Sequence, residues 1–113
     1  VIITGGEKDV LALAAHGFSA ICLNSETAKM HSSVMDDLAR RFSRIIFVYD
    51  TDSTGKEESS ARVRELNEKY PVAKIDLPLP GSKLEKDVSD YFASGGSSES
   101  LRQMLHLANP TKL

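Results

Sequence analysis

Two aspartates, Asp50 and Asp52, are the residues in this sequence whose type and spacing most clearly suggest chemistry. They follow the apolar run at residues 45–49, where both carboxylates could turn toward one point beyond a strand end. Carboxylates gathered there repel each other unless protons or a cation intervene. Mg²⁺ is the natural cation, because it takes oxygen ligands and keeps waters for substrate phosphates. We therefore predict a Mg²⁺ site here, with Mn²⁺ as an alternative ion.

Four further acids lie where they could complete such a site. Asp87 and Asp90 follow the next apolar run, and Glu7 and Asp9 follow the first one. Each also has a plainer interpretation. An aspartate between a strand and a helix is often a helix N-cap, and acids in the first turn are favoured by the helix dipole. Asp90 could equally be a solvated helix residue, so both interpretations stay open.

Glycines and the lone cysteine carry weaker signals. Gly5 and Gly6 before a helix leave room for a phosphate to approach the backbone N–H groups, although a plain tight turn explains them equally well. Cys22 lies in an apolar run and is predicted to be a small core residue. A single cysteine forms no internal disulfide and suits a reducing compartment. No spacing of Cys and His residues suggests zinc.

The chain alternates short apolar runs with amphipathic segments that could position these acids. The pattern predicts strands at 1–4, 18–23, 44–49 and 72–77, and helices at 7–16, 33–42, 56–70, 87–93 and 98–107. Repeated strand–helix alternation is typical of a parallel sheet covered by helices. Right-handed crossovers then bring all the strand C-terminal ends to one edge, where ligands bind. The acids above and the polar residues 24–27 follow strand ends.

Length and charge restrict the class of protein. The 113 residues fit one domain, and the net charge of −2 argues against a strongly basic nucleic-acid binder. Metal ions or neighbouring domains would have to supply positive charge for any polyphosphate ligand. No apolar run reaches the length of a membrane helix, and no signal peptide is evident. We expect a cytoplasmic protein, and a piece of a longer chain because the sequence opens inside an apolar run without Met.

Three segments resemble motifs of the Toprim family. Residues 2–13 resemble its first motif, and residues 46–56 resemble its Asp-x-Asp motif with the following glycine and basic residue. Residues 86–92 resemble the Lys-Asp-x-x-Asp-Tyr segment of primase and phage-type primase–helicase Toprim domains. The segments arrive in family order and cover about residues 1–95. Residues 96–113 would form a C-terminal helix and tail packed on the same domain.

The resemblance implies an α/β, Rossmann-like Toprim fold with about four parallel strands flanked by helices. It implies Mg²⁺-dependent nucleotidyl or phosphoryl transfer on nucleic acid, as in a DNA primase or primase–helicase. DNA and nucleotides would be partners, together with zinc-binding or helicase domains. The expected metal ligands are Asp50, Asp52 and Asp87. The expected catalytic residues are Glu7, Asp9, Asp50 and Asp52. Phosphate contacts are expected from Gly5, Gly6, Lys56 and Lys86, with support from Asp90.

One position departs from the family pattern. The first motif usually carries a glutamate where this chain has Gly5, and Glu7 could substitute for it. Alternatively, the domain binds metal and nucleic acid but catalyses weakly, or it is a small Toprim nuclease. A haloacid-dehalogenase-like phosphatase is a further alternative, with Asp50 as nucleophile and Asp52 as acid/base. Gly55 and the short remainder of the chain argue against that last reading.

Overall fold

Strands and helices alternate through residues 1–22, 32–83 and 85–108, which the computed structural model describes. The elements are β1 Ile2–Thr4, α1 Glu7–Ala15, β2 Ala20–Cys22, α2 Ser32–Arg41, β3 Ile45–Val48, α3 Ser53–Leu66, β4 Val72–Lys74, α4 Val88–Ala93 and α5 Ser98–Leu107. Each predicted element is present, with boundaries displaced by a few residues. The polar residues 24–27 and the predicted end of the second strand at Leu23 lie outside the described residues.

The strands form one parallel sheet in the order β2-β1-β3-β4. Ile3 of the central strand β1 lies opposite Ile21 on one side and Phe47 on the other. Every residue of β1 and β3 is buried, as expected when helices cover both faces of a parallel sheet. The predicted α/β fold with about four parallel strands is therefore confirmed.

Two hydrophobic clusters lie on opposite faces of the sheet, because successive strand residues point to opposite sides. Ile2, Ile46 and Val48 face the cluster that includes side chains from three helices, namely Leu13 of α1, Val88 and Tyr91 of α4, and Leu101 of α5. Ile3, Ile45, Phe47 and Tyr49 face the other cluster, with Met35 and Leu38 of α2 and, at its margin, Val63 and Leu66 of α3. α1 and α3 thus cover opposite faces.

This arrangement creates a crevice between β1 and β3. The chain leaves β1 toward β2 on one side of the sheet, and leaves β3 toward β4 on the other. Ligands of open α/β sheets bind at such a switch point, beyond the carboxyl ends of the strands. The segments that follow Thr4 and Val48 meet there.

Helix α5 packs on the same face as α1 and α4. Leu101 is fully buried in their cluster, and the Arg44 guanidinium donates to the carbonyl oxygens of Leu105 and Ala108 at the end of α5. The predicted division between residues 95 and 96 stays a prediction. No helix in the described part of the chain is long and apolar enough to cross a membrane.

Candidate metal centre

Three carboxylates from separate parts of the chain meet at the switch point. Asp9 lies in the first turn of α1, Asp50 follows β3, and Asp87 immediately precedes α4. One oxygen from each lies within 4.8 Å of the other two. Asp9 is buried, and the other two are half-buried. Among the residues that the structure describes, these three, which we call the acidic triad, could hold a metal ion.

Asp9 is held in place by α4. Its Oδ1 accepts hydrogen bonds from the backbone N and from the Oγ of Ser89, both at 3.1 Å. Burial, with the nearby negative charge of Asp87, raises the pKa of the Asp9 carboxyl, although the Ser89 hydrogen bonds work in the opposite direction. The ionised Asp9 is therefore a group that a nearby cation would stabilise.

Asp87 caps α4 while it faces the triad. Its Oδ1 accepts from the backbone N of Asp90 at 2.8 Å, and Asp90 in return accepts from the backbone N of Lys86 and of Asp87. This reciprocal capping box fixes the first turn of α4. These hydrogen bonds, that from Lys86 foremost, lower the pKa of Asp90. Asp90 therefore supports Asp87, while the Asp87 Oδ2 faces Lys8 Nζ at 3.2 Å.

Asp52 is placed beside the triad and is not part of it. Its Oδ1 accepts from the backbone N of Gly55 at 2.8 Å, which makes Asp52 the N-cap of α3. Its Oδ2 lies 3.4 Å from Lys86 Nζ, and the same ammonium lies 3.8 Å from Asp50 Oδ2. The pKa of Lys86 is raised, first by its hydrogen bond to Asp52 and then by the charges of Asp52 and Asp50. The hydrogen bond to Asp87 likewise raises the pKa of Lys8.

Close backbone packing joins the loops that carry Asp50 and Asp87. A Cβ atom at Gly55 would lie 2.0 Å from the carbonyl oxygen of Asp50, so only glycine lets α3 begin so near. The Thr51 backbone N donates to the carbonyl oxygen of Lys86 at 2.6 Å. Gly81, with φ +84°, packs against the Thr51 carbonyl, where a Cβ would approach to 2.7 Å. These contacts tie the two loops together.

Four further predicted residues, Gly5, Gly6, Glu7 and Lys56, lie outside the acidic triad. Gly5 and Gly6 form the turn between β1 and α1, and a Cβ at Gly6 would meet nothing within 4 Å, so the turn has open space beside it. Glu7 and Lys56 are exposed at the starts of α1 and α3. Glu7 does not belong to the acidic triad. The sequence did not point to Lys8 or Ser89 as neighbours of the acids.

The donor set fits a hard divalent cation. All three groups offer carboxylate oxygens, which Mg²⁺ and Mn²⁺ prefer, and no soft ligand accompanies them. Lys8 and Lys86 already place positive charge against these acids. These two ammonium groups offset only part of the negative charge, so the three carboxylates could still bind a divalent cation directly.

A family model described as Toprim-like matches residues 2–92. A search of curated protein sequences found no match. The crystal structure of the Aquifex aeolicus primase (zinc-binding and RNA polymerase domains) has a TM-score of 0.75 and 20% identity, over 96% of this chain and 26% of that one. A DNA primase domain from Pseudomonas aeruginosa has a TM-score of 0.74 and 19% identity, over 97% of this chain and 33% of that one. The chain thus spans a quarter to a third of the length of these structures.

Proposed function

This chain belongs to the Toprim-like family, and from that membership we propose that it is the Mg²⁺-dependent nucleotidyl- or phosphoryl-transfer domain of a DNA primase or primase–helicase. One observation carries the proposal. Carboxylates from three separate segments, Asp9, Asp50 and Asp87, lie within 4.8 Å of one another at the switch point of the sheet. A structural cap or a surface turn gives no reason for carboxylates from three segments to lie together, whereas a divalent ion with oxygen ligands would offset their mutual repulsion.

Each residue would have a distinct task. Asp9, Asp50 and Asp87 would hold Mg²⁺, which when bound neutralises phosphate charge and activates an attacking hydroxyl. Ser89 would orient Asp9 through its two hydrogen bonds. Asp52 would position Lys86 and cap α3.

Phosphate groups would lie between the glycine turn and the lysines. The Gly5–Gly6 turn precedes α1, and its open side could accept an anion near the start of that helix. Lys86 and the exposed Lys56 would add positive charge at the same edge of the sheet.

The partners follow from charge and from coverage. With a net charge of −2, the chain needs metal ions or other domains to hold DNA and nucleotides. It spans only part of the primase structures that it resembles, one of which includes a zinc-binding domain. We therefore propose zinc-binding or helicase domains in the same or a partner chain, in the cytoplasm.

A second candidate function, a metal- and nucleic-acid-binding module with weak catalysis, is favoured by one feature. Gly5 stands where the family motif usually has a glutamate, and Glu7 is exposed and outside the acidic triad. Within residues 1–22, 32–83 and 85–108, the counterpart of that glutamate is then missing beside the proposed metal. The small-nuclease and phosphatase alternatives gain no such support from the described residues or the similar structures.

Metal titration tests the site. We expect wild type to bind Mg²⁺, and Asp50→Asn to lose most of that affinity. Asp52→Asn is the matched variant, because asparagine can still cap α3, and it should lose little. At about 100 times Kd, the ion should stabilise wild type by about 2.7 kcal/mol. Equal Mg²⁺ affinity in wild type and Asp50→Asn would refute the site.

Template-directed nucleotide incorporation separates the two candidate functions. The primase proposal predicts incorporation by wild type that is lost in Asp50→Asn. Mg²⁺ binding without incorporation, in the protein with all its domains, would favour the binding module. If Glu7 replaces the missing glutamate, Glu7→Gln should abolish incorporation while Mg²⁺ affinity is kept.

A further inference from the structure

Two lysine ammonium groups lie against the carboxylates that would bind the metal. Lys8 Nζ is 3.2 Å from Asp87 Oδ2. Lys86 Nζ is 3.8 Å from Asp50 Oδ2 and 3.4 Å from Asp52 Oδ2. Two of the three members of the acidic triad are therefore already paired with a positive charge.

These ammonium groups and a divalent ion would compete for the same carboxylates. A Mg²⁺ ion coordinates carboxylate oxygen at about 2.1 Å, so its two positive charges would lie within a few ångströms of each ammonium. Like charges at that distance repel strongly in a partly buried site. Binding of the ion therefore requires each lysine to move away from its carboxylate.

Both lysines are able to move. The Lys8 side chain is 69% exposed and that of Lys86 is 34% exposed, so neither is enclosed by packing. Lysine is a flexible point charge that re-pairs readily. When Lys86 leaves Asp50, its contact with Asp52 keeps the ammonium at the same edge of the sheet, because Asp52 is fixed as the cap of α3.

We propose that Lys8 and Lys86 are built-in competitors of the divalent ion, which neutralise the acidic triad in its absence and transfer to the phosphates of a metal-bound polyphosphate in its presence. This inference rests on the proposed function, because it assumes that the triad binds Mg²⁺. It makes metal and polyphosphate binding cooperative. Phosphate oxygens stabilise the displaced lysines, so each ligand raises the affinity for the other by the same factor. The protein would bind Mg²⁺ weakly until a polyphosphate arrives.

The test removes each ammonium and measures two affinities. The variants are Lys8→Gln and Lys86→Gln. The control is Lys69→Gln, which changes the net charge equally. Lys69 is exposed, and its ammonium lies over the Tyr70 ring. The Pro71 carbonyl, two residues on, accepts a hydrogen bond from the start of β3. Lys69 therefore lies near the amino ends of the strands, whereas the triad lies at their carboxyl ends. The first measurement is the affinity for Mg²⁺ alone. The second is the affinity for inorganic triphosphate at saturating Mg²⁺.

The two affinities should change in opposite directions. Each of the two variants should bind Mg²⁺ alone about two- to fivefold more tightly than wild type, the range set by partly exposed ion pairs. Each should bind triphosphate several-fold more weakly, because a charge-assisted contact is lost. Lys69→Gln should behave as wild type in both measurements. If the lysines had a purely structural role, replacing them would not increase the affinity for Mg²⁺.

Several results would overturn the inference. Mg²⁺ affinity in both variants that is no higher than in Lys69→Gln would exclude competition. Tighter Mg²⁺ binding with unchanged triphosphate affinity would exclude the transfer to phosphate. In both cases, Mg²⁺ binding by wild type leaves the proposed function intact. If wild type itself binds no Mg²⁺, the proposed function fails and this inference fails with it.

Discussion

Replacing Gly55 with alanine tests how the metal centre is held together. The added Cβ would lie 2.0 Å from the carbonyl oxygen of Asp50, 2.7 Å from its carbonyl carbon and 3.0 Å from its Cα. All three are backbone atoms, so no change of side-chain rotamer can relieve the contact. Either the first turn of α3 or the backbone of Asp50 must shift.

Two opposing effects determine the size of the change. Alanine is favoured over glycine in a helix by about 1 kcal/mol, which would stabilise the variant. Overpacking costs about 1–3 kcal/mol and occasionally more, and a 2.0 Å approach to backbone belongs at the top of that range. We expect net destabilisation of about 2 kcal/mol, which lowers Tm by about 8 °C in a domain of this size. The affinity for Mg²⁺ should fall as well, because Asp50 is displaced.

Urea unfolding with and without Mg²⁺ measures both effects. The control is Gly6→Ala, where φ is −163° and a Cβ meets nothing within 4 Å, so it should cost less than about 1 kcal/mol. Alanine keeps the backbone N–H that donates to Asp52, so the substitution removes no capping group. If Gly55→Ala is as stable as wild type or more stable, α3 does not begin against Asp50 as described.

Three further predictions concern the triad and α5. Asp9→Asn should raise metal-free Tm at neutral pH and lose the Mg²⁺ increment. Because the pKa of Asp9 is raised in the folded protein, ionising this carboxyl costs stability as the pH rises through that pKa. In acid the carboxyl is protonated, so the higher Tm of Asp9→Asn should vanish there. Asp87→Ala should lose about 1 kcal/mol with the cap, whereas Asp87→Asn should keep the cap, and both should lose Mg²⁺ affinity. Leu101→Ala should cost about 2–5 kcal/mol, because the side chain is fully buried, whereas Leu107→Ala, at 77% exposure, should cost less than about 0.5 kcal/mol.

Each of these three predictions has an outcome that would contradict it. An Asp9→Asn variant less stable than wild type at neutral pH would mean that the carboxylate is not strained by burial. Equal stability of Asp87→Ala and Asp87→Asn would show that the Asp87 cap does not stabilise α4. If Leu101→Ala lost as little stability as Leu107→Ala, α5 would not be packed on the core through Leu101.

Most of the fold could be predicted because the apolar runs are distinct, and the errors lie at element ends. The second strand begins at Ala20 rather than 18. Gly17 has φ +85°, and the backbone N of Phe18 donates to Leu13, so residue 18 still closes the end of α1. Helix α3 begins at Ser53 rather than 56, because Asp52 caps it and Gly55 lies inside its first turn. Spacing alone does not show such local hydrogen bonds.

The grouping of acids depends on strand order, which the sequence pattern does not supply. Asp9 was predicted to be one of several acids that could complete the site, and was expected to be catalytic. It meets Asp50 because β1 and β3 are neighbours. Asp50 and Asp52 share a loop, as their spacing indicates. Spacing does not show which of them turns inward, and the helix cap takes Asp52. The contact between Asp9 and Ser89 spans 80 residues, so no local pattern reports it.

The acids are built beside the hydrophobic core and not into it. Asp50 and Asp87 are half-buried beyond the strand ends, and only Asp9 of the acidic triad is buried. Without a divalent ion, Ser89 supports Asp9, the capping box supports Asp87, and Lys86 partly neutralises Asp50. We therefore expect the fold to form without metal, unlike small domains whose metal supplies the folding energy. Charge-removing variants at the triad should stay folded, and a loss of Mg²⁺ affinity in them then reports on ligation itself.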